Sequence, residues 1–312
     1  MYIGIDIGGT SIKYGLVSEE GDVMNKSSIP TSKNKNVFIK DILNIITRNI
    51  EDTPEIKAVG ISAPGIIEKN GYFTTAGSLK AMYGVNLKVE LEKHIQIPIQ
   101  IENDANAAAI AERWIGNAQG IDNYLCVVLG TGVGGGIVIN GDIYRGHHGM
   151  AGEFGWMIID ELPEKGNIET ASINQRAAIV GGLCMRYNQF KKAENSEFED
   201  IYDARIIFEQ EMTDSIAKQV IEQFFRDLSI GLINLISIFD PEVVLIGGGI
   251  SENNDFFTRL QKELVRWEQR HDSVKYLMGK TIAPIKQTKL KNDAGIVGAV
   301  YPIRRSLKLK TK

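Results

Sequence analysis

The sequence predicts a mixed α/β protein, and three observations carry that prediction. Apolar, β-branched runs end repeatedly in glycine turns, segments of helical period are interleaved between them, and one strand–turn–strand device occurs twice. The two copies read "IGIDIGGTSIKYGLV" near the N-terminus and "CVVLGTGVGGGIVI" far downstream.

The elements follow in order. After the first hairpin, "NVFIKDILNIITRNI" puts Ile39, Ile42, Leu43, Ile46 and Ile50 at helical spacing, which predicts a helix with one apolar face. "IKAVGISAPG" reads as a strand running into a turn, "LKVELEKHI" as a helix, "IPIQIEND" as a strand, and "ANAAAIAERWIG" as a helix opened by Asp104. "NYLCVVLG" is a strand, and Asn140-Gly141 within "GIVINGDIY" marks a hairpin turn. A long helix is expected over about 214–238, "EVVLIGGGIS" is again a strand into a glycine turn, and "NDAGIVGAVYPI" reads as a closing helix.

The bulk composition bounds the function classes. The 312 residues are enough for two domains, and 43% hydrophobic with 24% charged residues is ordinary for a soluble chain. No run approaches the ~18 apolar residues of a membrane span, and no basic segment followed by an apolar stretch suggests a signal peptide. A net charge of −4 disfavours nucleic acid as a partner, and the short basic tail "RRSLKLKTK" reads as a solvated terminus. Two separated cysteines, Cys126 and Cys184, give neither a disulfide framework nor a zinc ribbon, so a reducing cytoplasm is the expected compartment.

The paired turns carry the first chemical signal. A Gly-Thr turn between strands leaves backbone N–H groups unobstructed and adds a hydroxyl, a concavity suited to phosphate oxygens. Plain hairpin turns are the simpler reading. The dinucleotide fingerprint, formally matched by Gly130, Gly132 and Gly135, requires a following helix, whereas "GGIVINGDIY" is a strand. The P-loop pattern G-x-x-x-x-G-K-[ST] does not occur. Two phosphate turns suggest that a nucleoside triphosphate is gripped from both sides. Asp6, just before the first glycines, would then repel the phosphates unless Mg²⁺ intervenes; otherwise it serves the turn.

"GIDIGGTSIKYGLV", "SAPG", "ENDANAAAIAE", "LGTGVGGGIVINGDIYRG", "AGEFG" and "VVLIGGGIS" occur in one order over nearly the whole chain, and this ordered set resembles the ROK family of repressors and sugar kinases. The resemblance implies an actin-like (ribonuclease H-like) ATPase fold of two α/β domains with sugar and ATP in the cleft between them. It implies a small domain over residues 1–103, to which a C-terminal helix at about 292–306 returns, and a larger domain over 104–291. Asp104 would be the general base that accepts the proton of the sugar's primary hydroxyl as it attacks the γ-phosphate. Taken without the family, Asp104 reads equally well as a helix N-cap. Asn103 would hydrogen-bond a ring hydroxyl, Gly65 would let the backbone approach the sugar, and Glu153 would bind it. Gly8, Gly9, Thr10 and Lys13 would hold phosphates from one side, Thr131 and Gly132 from the other. Gly248 and Gly249 would lie against the adenosine, and Asp6 would serve Mg²⁺, directly or through water. The implied partners are a small-molecule sugar and ATP, and the implied assembly is a homodimer.

The sequence departs from the family pattern in two places. Many members continue the glutamate with G-H and add a cysteine cluster for zinc. Here the position is Trp156 and "ELPEKGNIETASINQRAAI" holds no cysteine, so no structural zinc is expected. His147 and His148 lack thiolate partners and read as loop or sugar-rim residues. The second sugar-contacting position falls on Asn174 or on Glu169, with "INQRAAIV" the better helix start. An indole at Trp156 offers an apolar face suited to a sugar ring or an aglycone; its alternative is to pack the loop. The chain is thus most similar to the zinc-free β-glucoside kinases, which phosphorylate the 6-hydroxyl of the glucose unit of cellobiose and related compounds. Glucokinase and N-acetylmannosamine kinase are the nearest alternatives. A ROK regulator would need a helix-turn-helix before the first strand, which begins here at residue 2, and a non-catalytic sugar sensor would not need Asp6, Asp104 and both turns.

Overall fold

The structure is a computed structural model and describes residues 1–310. Strands β1 (Tyr2–Ile7), β2 (Ser11–Val17) and β3 (Val23–Pro30) are followed by helix α1 (Lys35–Asp52) and β4 (Val59–Ala63). Then come α2 (Leu87–Glu92), β5 (Ile99–Asn103), α3 (Asp104–Ile115), β6 (Tyr124–Leu129), β7 (Val133–Ile139) and β8 (Asp142–Ile143). Helix α4 (Ile173–Ala177), a π-helical turn (Ile179–Cys184), α5 (Met185–Glu194), α6 (Ala204–Glu209) and α7 (Ser215–Phe239) precede β9 (Val243–Gly247). The chain closes with α8 (Asn254–Arg270), α9 (Asp272–Lys275), β10 (Ile285–Gln287) and α10 (Ala294–Lys310).

These strands make two five-stranded sheets, ordered β3-β2-β1-β4-β5 and β10-β9-β6-β7-β8. In the first, β1 pairs antiparallel with β2 and parallel with β4, which pairs parallel with β5. Parallel neighbours need crossover helices, and α1 and α2 lie at those points of the chain. The molecule divides into two compact units. One comprises Met1–Cys126, Gly136–Gly152 and the chain from Thr288 onward; the other comprises Val127–Gly135 and Glu153–Gln287.

Local signals explain most element ends. Asn34 caps α1, its Oδ1 accepting from the N–H groups of Asn36 and Val37. The helix buries Phe38, Ile42, Ile45 and Ile46, with Ile39, Leu43 and Ile50 packed at the margin. The apolar face is therefore centred slightly away from the one read from Ile39 and Ile50. Asn140 and Gly141 adopt φ of 52° and 77°, as a two-residue hairpin turn between β7 and β8 requires. Asp214 caps the 25-residue α7.

In the first unit, α10 lies against β1, β4 and α3. The approach is so close that a Cβ on Gly60 would stand 2.2 Å from the Ala299 carbonyl oxygen. Buried Glu112 of α3 ties the segment before α10, accepting from Lys289 N at 2.7 Å and Leu290 N at 2.8 Å through Oε1. Cys126 is fully buried, and burial drives its thiol pKa up, so it behaves as a small apolar core residue.

Candidate active site

In the first unit the sheet register sets one row of functional side chains. Lys13 on β2 stands opposite Asp6 on β1, Asp6 opposite Ser62 on β4, and Ser62 opposite Glu102 on β5. Beyond this row β1 runs into Gly8-Gly9-Thr10, β4 into Pro64-Gly65, and β5 into the Asn103–Asp104 corner. The carboxyl ends of parallel strands thus gather the expected residues along one edge of one sheet, where α/β proteins characteristically bind ligands. Gly8 N–H donates to the Ser11 carbonyl at 2.9 Å and Thr31 Oγ1 to the Gly8 carbonyl at 2.8 Å, and Gly9 and Thr10 remain exposed. Ser62 Oγ donates to Asp6 Oδ1 at 2.6 Å. Burial lifts the Asp6 carboxyl above its ordinary range, against the Ser62 hydrogen bond and the charge of Lys13.

At the Asn103–Asp104 corner the helix cap falls one residue earlier than the Asp104 cap that the sequence offered as one alternative. Asn103, not Asp104, caps α3: its Oδ1 accepts from Asn106 N at 2.9 Å, while its Nδ2 donates to the Gly65 carbonyl at 3.0 Å. Asp104 is the first helical residue and is exposed, with Oδ1 accepting from Ala105 N at 2.8 Å. Its carboxylate lies in the favourable potential of a helix N-terminus. Behind the corner, Glu102 is only 4% exposed. It accepts from Asn103 N and Asn106 Nδ2, both at 3.2 Å, and pairs with both Nε and Nη2 of Arg145. One buried carboxylate therefore clamps the turn that presents Asp104.

In the second unit, Thr131 is exposed at the tip of the second glycine turn, and the turn is held from beneath. Ile179 N and Val180 N donate to the Gly130 carbonyl at 3.0 and 3.2 Å, and Gly181 N donates to the Thr131 carbonyl at 3.0 Å. Gly248 follows β9 with φ of 96°, and a Cβ there would stand 1.9 Å from the Leu129 carbonyl oxygen. This brings the turn after β9, with exposed Gly249, against the end of β6. Glu153 leads a 3₁₀ turn, Phe154–Trp156, in which Phe154 is buried and the Trp156 indole is 46% exposed. Burial raises the Glu153 carboxyl above its ordinary range. Asn174, on α4, directs Oδ1 to the Val133 N–H at 2.7 Å. Glu169 is exposed on the 3₁₀ turn Ile168–Ala171, where Asn167 caps its N–H.

The first unit thus gathers Asp6, Gly8, Gly9, Thr10, Lys13, Gly65, Asn103 and Asp104, and the second Thr131, Gly132, Glu153, Trp156, Asn174, Gly248 and Gly249. Sequence reading missed Ser62, the Glu102–Arg145 pair and the backbone donors of Ile179–Gly181. An acidic residue inside the apolar strand "IQIEND" was the available signal for Glu102. His147 and His148 are exposed and stack edge to face at 4.4 Å between ring centroids. Among the described residues no group of three or more His, Cys, Asp or Glu side chains is placed to hold a metal. One carboxylate and one hydroxyl at Asp6 and Ser62 nevertheless fit a cation such as Mg²⁺, which keeps water and phosphate oxygens as most of its ligands. Among the described residues no helix is long and apolar enough to cross a membrane.

Comparison with known proteins bears on this arrangement. A family model described as the ROK family matches residues 2–305. A beta-glucoside kinase of Listeria monocytogenes is 33% identical over 298 residues, covering 95% of each chain. A glucokinase of Halalkalibacterium halodurans is 31% identical over 327 residues, covering 97% of this chain and 95% of its own. Among solved structures, a ROK family glucokinase from Streptomyces griseus in complex with glucose and AMPPNP superposes with a TM-score of 0.78 at 29% identity, covering 98% of this chain and 99% of its own.

Proposed function

The chain belongs to the ROK family and has its actin-like ATPase fold, and on that premise we propose that it is an ATP-dependent sugar kinase acting on the 6-hydroxyl of a hexose. The preferred acceptor is the glucose unit of a β-glucoside such as cellobiose. The observation that carries the reading is the Asn103–Asp104 corner, an exposed carboxylate clamped at the carboxyl edge of the first sheet.

In this proposal each side chain has one task. Asp104 hydrogen-bonds the 6-hydroxyl and takes its proton as the oxygen attacks the γ-phosphorus, while the β–γ bridging oxygen leaves with ADP. The transition state for phosphoryl transfer is loose, so a base that orients the hydroxyl and takes its proton late is sufficient. Asn103 and Glu153 bind ring hydroxyls, and Gly65 admits the sugar to the backbone. The N–H groups and hydroxyls of Gly8–Thr10 and Thr131–Gly132, with Lys13, hold phosphate oxygens, and Gly248 and Gly249 face the adenosine. Asp6 would hold Mg²⁺, which supplies charge neutralisation on the phosphates. The functional division into residues 1–103 with the C-terminal helix, and 104–291, belongs to the same proposal, as does a homodimer.

Two observations favour a β-glucoside over free glucose. The β-glucoside kinase of Listeria monocytogenes is similar over 95% of the chain. An indole 46% exposed beside Glu153 is an apolar face suited to a second ring. A coupled assay of ADP release with Mg-ATP tests the reading against cellobiose, glucose and N-acetylmannosamine. Cellobiose is expected to be phosphorylated fastest; a strong preference for glucose with no disaccharide turnover would remove the role given to Trp156. Asp104→Asn is expected to lower kcat about 10²- to 10⁴-fold while sugar binding remains measurable by calorimetry. Full activity in that variant removes Asp104 from the chemistry.

A further inference from the structure

The Asn174 side chain, a candidate sugar ligand by sequence, is turned elsewhere. Its Oδ1 accepts from the Val133 N–H at 2.7 Å, the first N–H after the Thr131-Gly132 turn. The amide occupies a notch that two glycines leave open. A Cβ on Gly132 would stand 3.0 Å from Asn174 Oδ1, and one on Gly155 would stand 2.0 Å from Oδ1 and 2.5 Å from Cγ. Gly132 belongs to the second phosphate turn, whereas Gly155 lies between Glu153 and Trp156. The backbone beside Asn174 is tied to the same loop, since Ile173 N donates to the Met157 carbonyl at 2.9 Å. One amide therefore touches both the turn proposed to hold phosphate and the loop proposed to hold sugar, within a single unit of the molecule.

We infer that Asn174 is a positioning residue that fixes the second phosphate turn and couples it to the Glu153–Trp156 loop. The inference rests on the sugar kinase reading and refines it. A carbonyl oxygen locked on Val133 N–H sets the plane of the peptide that follows Gly132, and hence the direction in which the N–H groups of the turn point. A sugar that draws the Glu153–Trp156 loop into one conformation moves Gly155 against the same amide. Sugar occupancy thereby stabilises the phosphate-binding shape of the turn. By linkage, sugar then raises nucleotide affinity, and nucleotide raises sugar affinity by the same factor. The second sugar-contact position is thereby left to Glu169, whose carboxylate is exposed.

The test separates the two binding partners. Wild type, Asn174→Ala and Asn174→Thr are assayed with cellobiose, glucose and N-acetylmannosamine, and AMPPNP is titrated calorimetrically with and without the best acceptor. Removing one hydrogen bond is expected to raise KM for ATP about five- to tenfold, with KM for sugar changed less than twofold. The gain in AMPPNP affinity that sugar gives the wild type is expected to shrink in Asn174→Ala. Asn174→Thr, which keeps an acceptor oxygen, is expected to recover part of both effects. Hydrogen exchange at the Val133 amide provides a readout independent of activity, and faster exchange is expected in Asn174→Ala. A raised sugar KM with an unchanged ATP KM would return Asn174 to the sugar site and overturn the inference. So would unchanged exchange at Val133, or an undiminished sugar effect on AMPPNP. A wild type that phosphorylates none of the sugars sinks the kinase reading itself, and an active wild type with an indifferent Asn174→Ala sinks this inference alone.

Discussion

The two glycine turns are near copies in sequence and differ in what holds them. The first is closed by its own neighbours: Gly8 N–H meets the Ser11 carbonyl, and Thr31, on the chain just after the adjoining β3, reaches back to the Gly8 and Thr10 carbonyls. All of these partners lie within about 25 residues. The second turn also closes locally, Gly130 N–H donating to the Gly132 carbonyl at 2.9 Å, but it is held in addition by Asn174 and by three backbone N–H groups at 179–181, more than 40 residues further along the chain. Similar local chemistry can therefore stand on its hairpin alone or carry a remote support as well. A locally closed turn forms with its hairpin, whereas a remotely supported one can respond to whatever moves its support.

Substitutions that place a methyl group at the base of each turn sharpen this contrast, and the largest effect is expected at Gly248. There φ is 96° and the new Cβ would stand 1.9 Å from the Leu129 carbonyl oxygen, a backbone atom that cannot swing away. Gly248→Ala is expected to cost about 3 kcal/mol in urea denaturation, combining backbone strain with a clash at the base of the second turn. In Gly8→Ala the nearest atom is the Ser11 carbonyl oxygen at 3.0 Å, and the cost is expected to be about 1 kcal/mol or less. Equal costs would mean that the Leu129 carbonyl yields to a new methyl group as readily as the Ser11 carbonyl does.

That distinction also marks how far the sequence could be read. The existence of both turns, the strands feeding them, the Asn140-Gly141 hairpin and α3 were legible because the sequence signals for each lie a few positions apart, whereas the remote support of the second turn was not. Asp104 was legible as a position, but whether it or Asn103 caps the helix was not, because Asn and Asp are both good N-caps and only the backbone shows which one precedes the first helical residue. Asn174 could be placed at a helix start but not aimed, since its hydrogen bond to Val133 spans 41 residues. Ser62 and the Glu102–Arg145 pair were invisible for the same reason: strand register and a crossover bring them together, and no local pattern encodes that.

A smaller effect on folding, with a large one on activity, is expected at Gly295. This residue of α10 faces the first turn's carboxylate, and a Cβ there would stand 2.4 Å from Asp6 Oδ1 and 2.9 Å from Ser62 Oγ. The clash is with the whole Asp6 carboxyl group, whose Cγ would stand 2.5 Å away, so Asp6 must turn aside and lose its bond to Ser62. Alanine also favours the helix by about 1 kcal/mol relative to glycine. Gly295→Ala is thus expected to leave the urea midpoint nearly unchanged while kcat/KM for Mg-ATP falls about 10²-fold. Wild-type kcat/KM in a variant of unchanged stability would take Asp6 out of the phosphate-binding machinery.

The smallest effects expected are in stability, and they compare the two raised carboxyls. Burial lifts both Asp6 and Glu153 above their ordinary values of 3.8 and 4.5. A folded-state pKa above the unfolded one means that the folded protein binds more protons, so stability falls as pH rises from the unfolded value through the folded one. At pH 7–8 each ionised carboxylate is therefore a cost of folding. Asp6→Asn and Glu153→Gln are each expected to raise the urea-derived stability of the ligand-free protein at pH 7–8, a gain that fades as pH falls towards the unfolded values of 3.8 and 4.5. Both are expected to lose turnover. The two differ in salt response. At Glu153 burial is the whole cause, so its gain is expected to be the same with and without 0.5 M NaCl, a salt level at which exposed charges are largely screened. At Asp6 the Lys13 charge offsets part of the burial, and screening that attraction is expected to enlarge the gain. A loss of stability at pH 7 in either variant would mean that the carboxylate is compensated in the folded state.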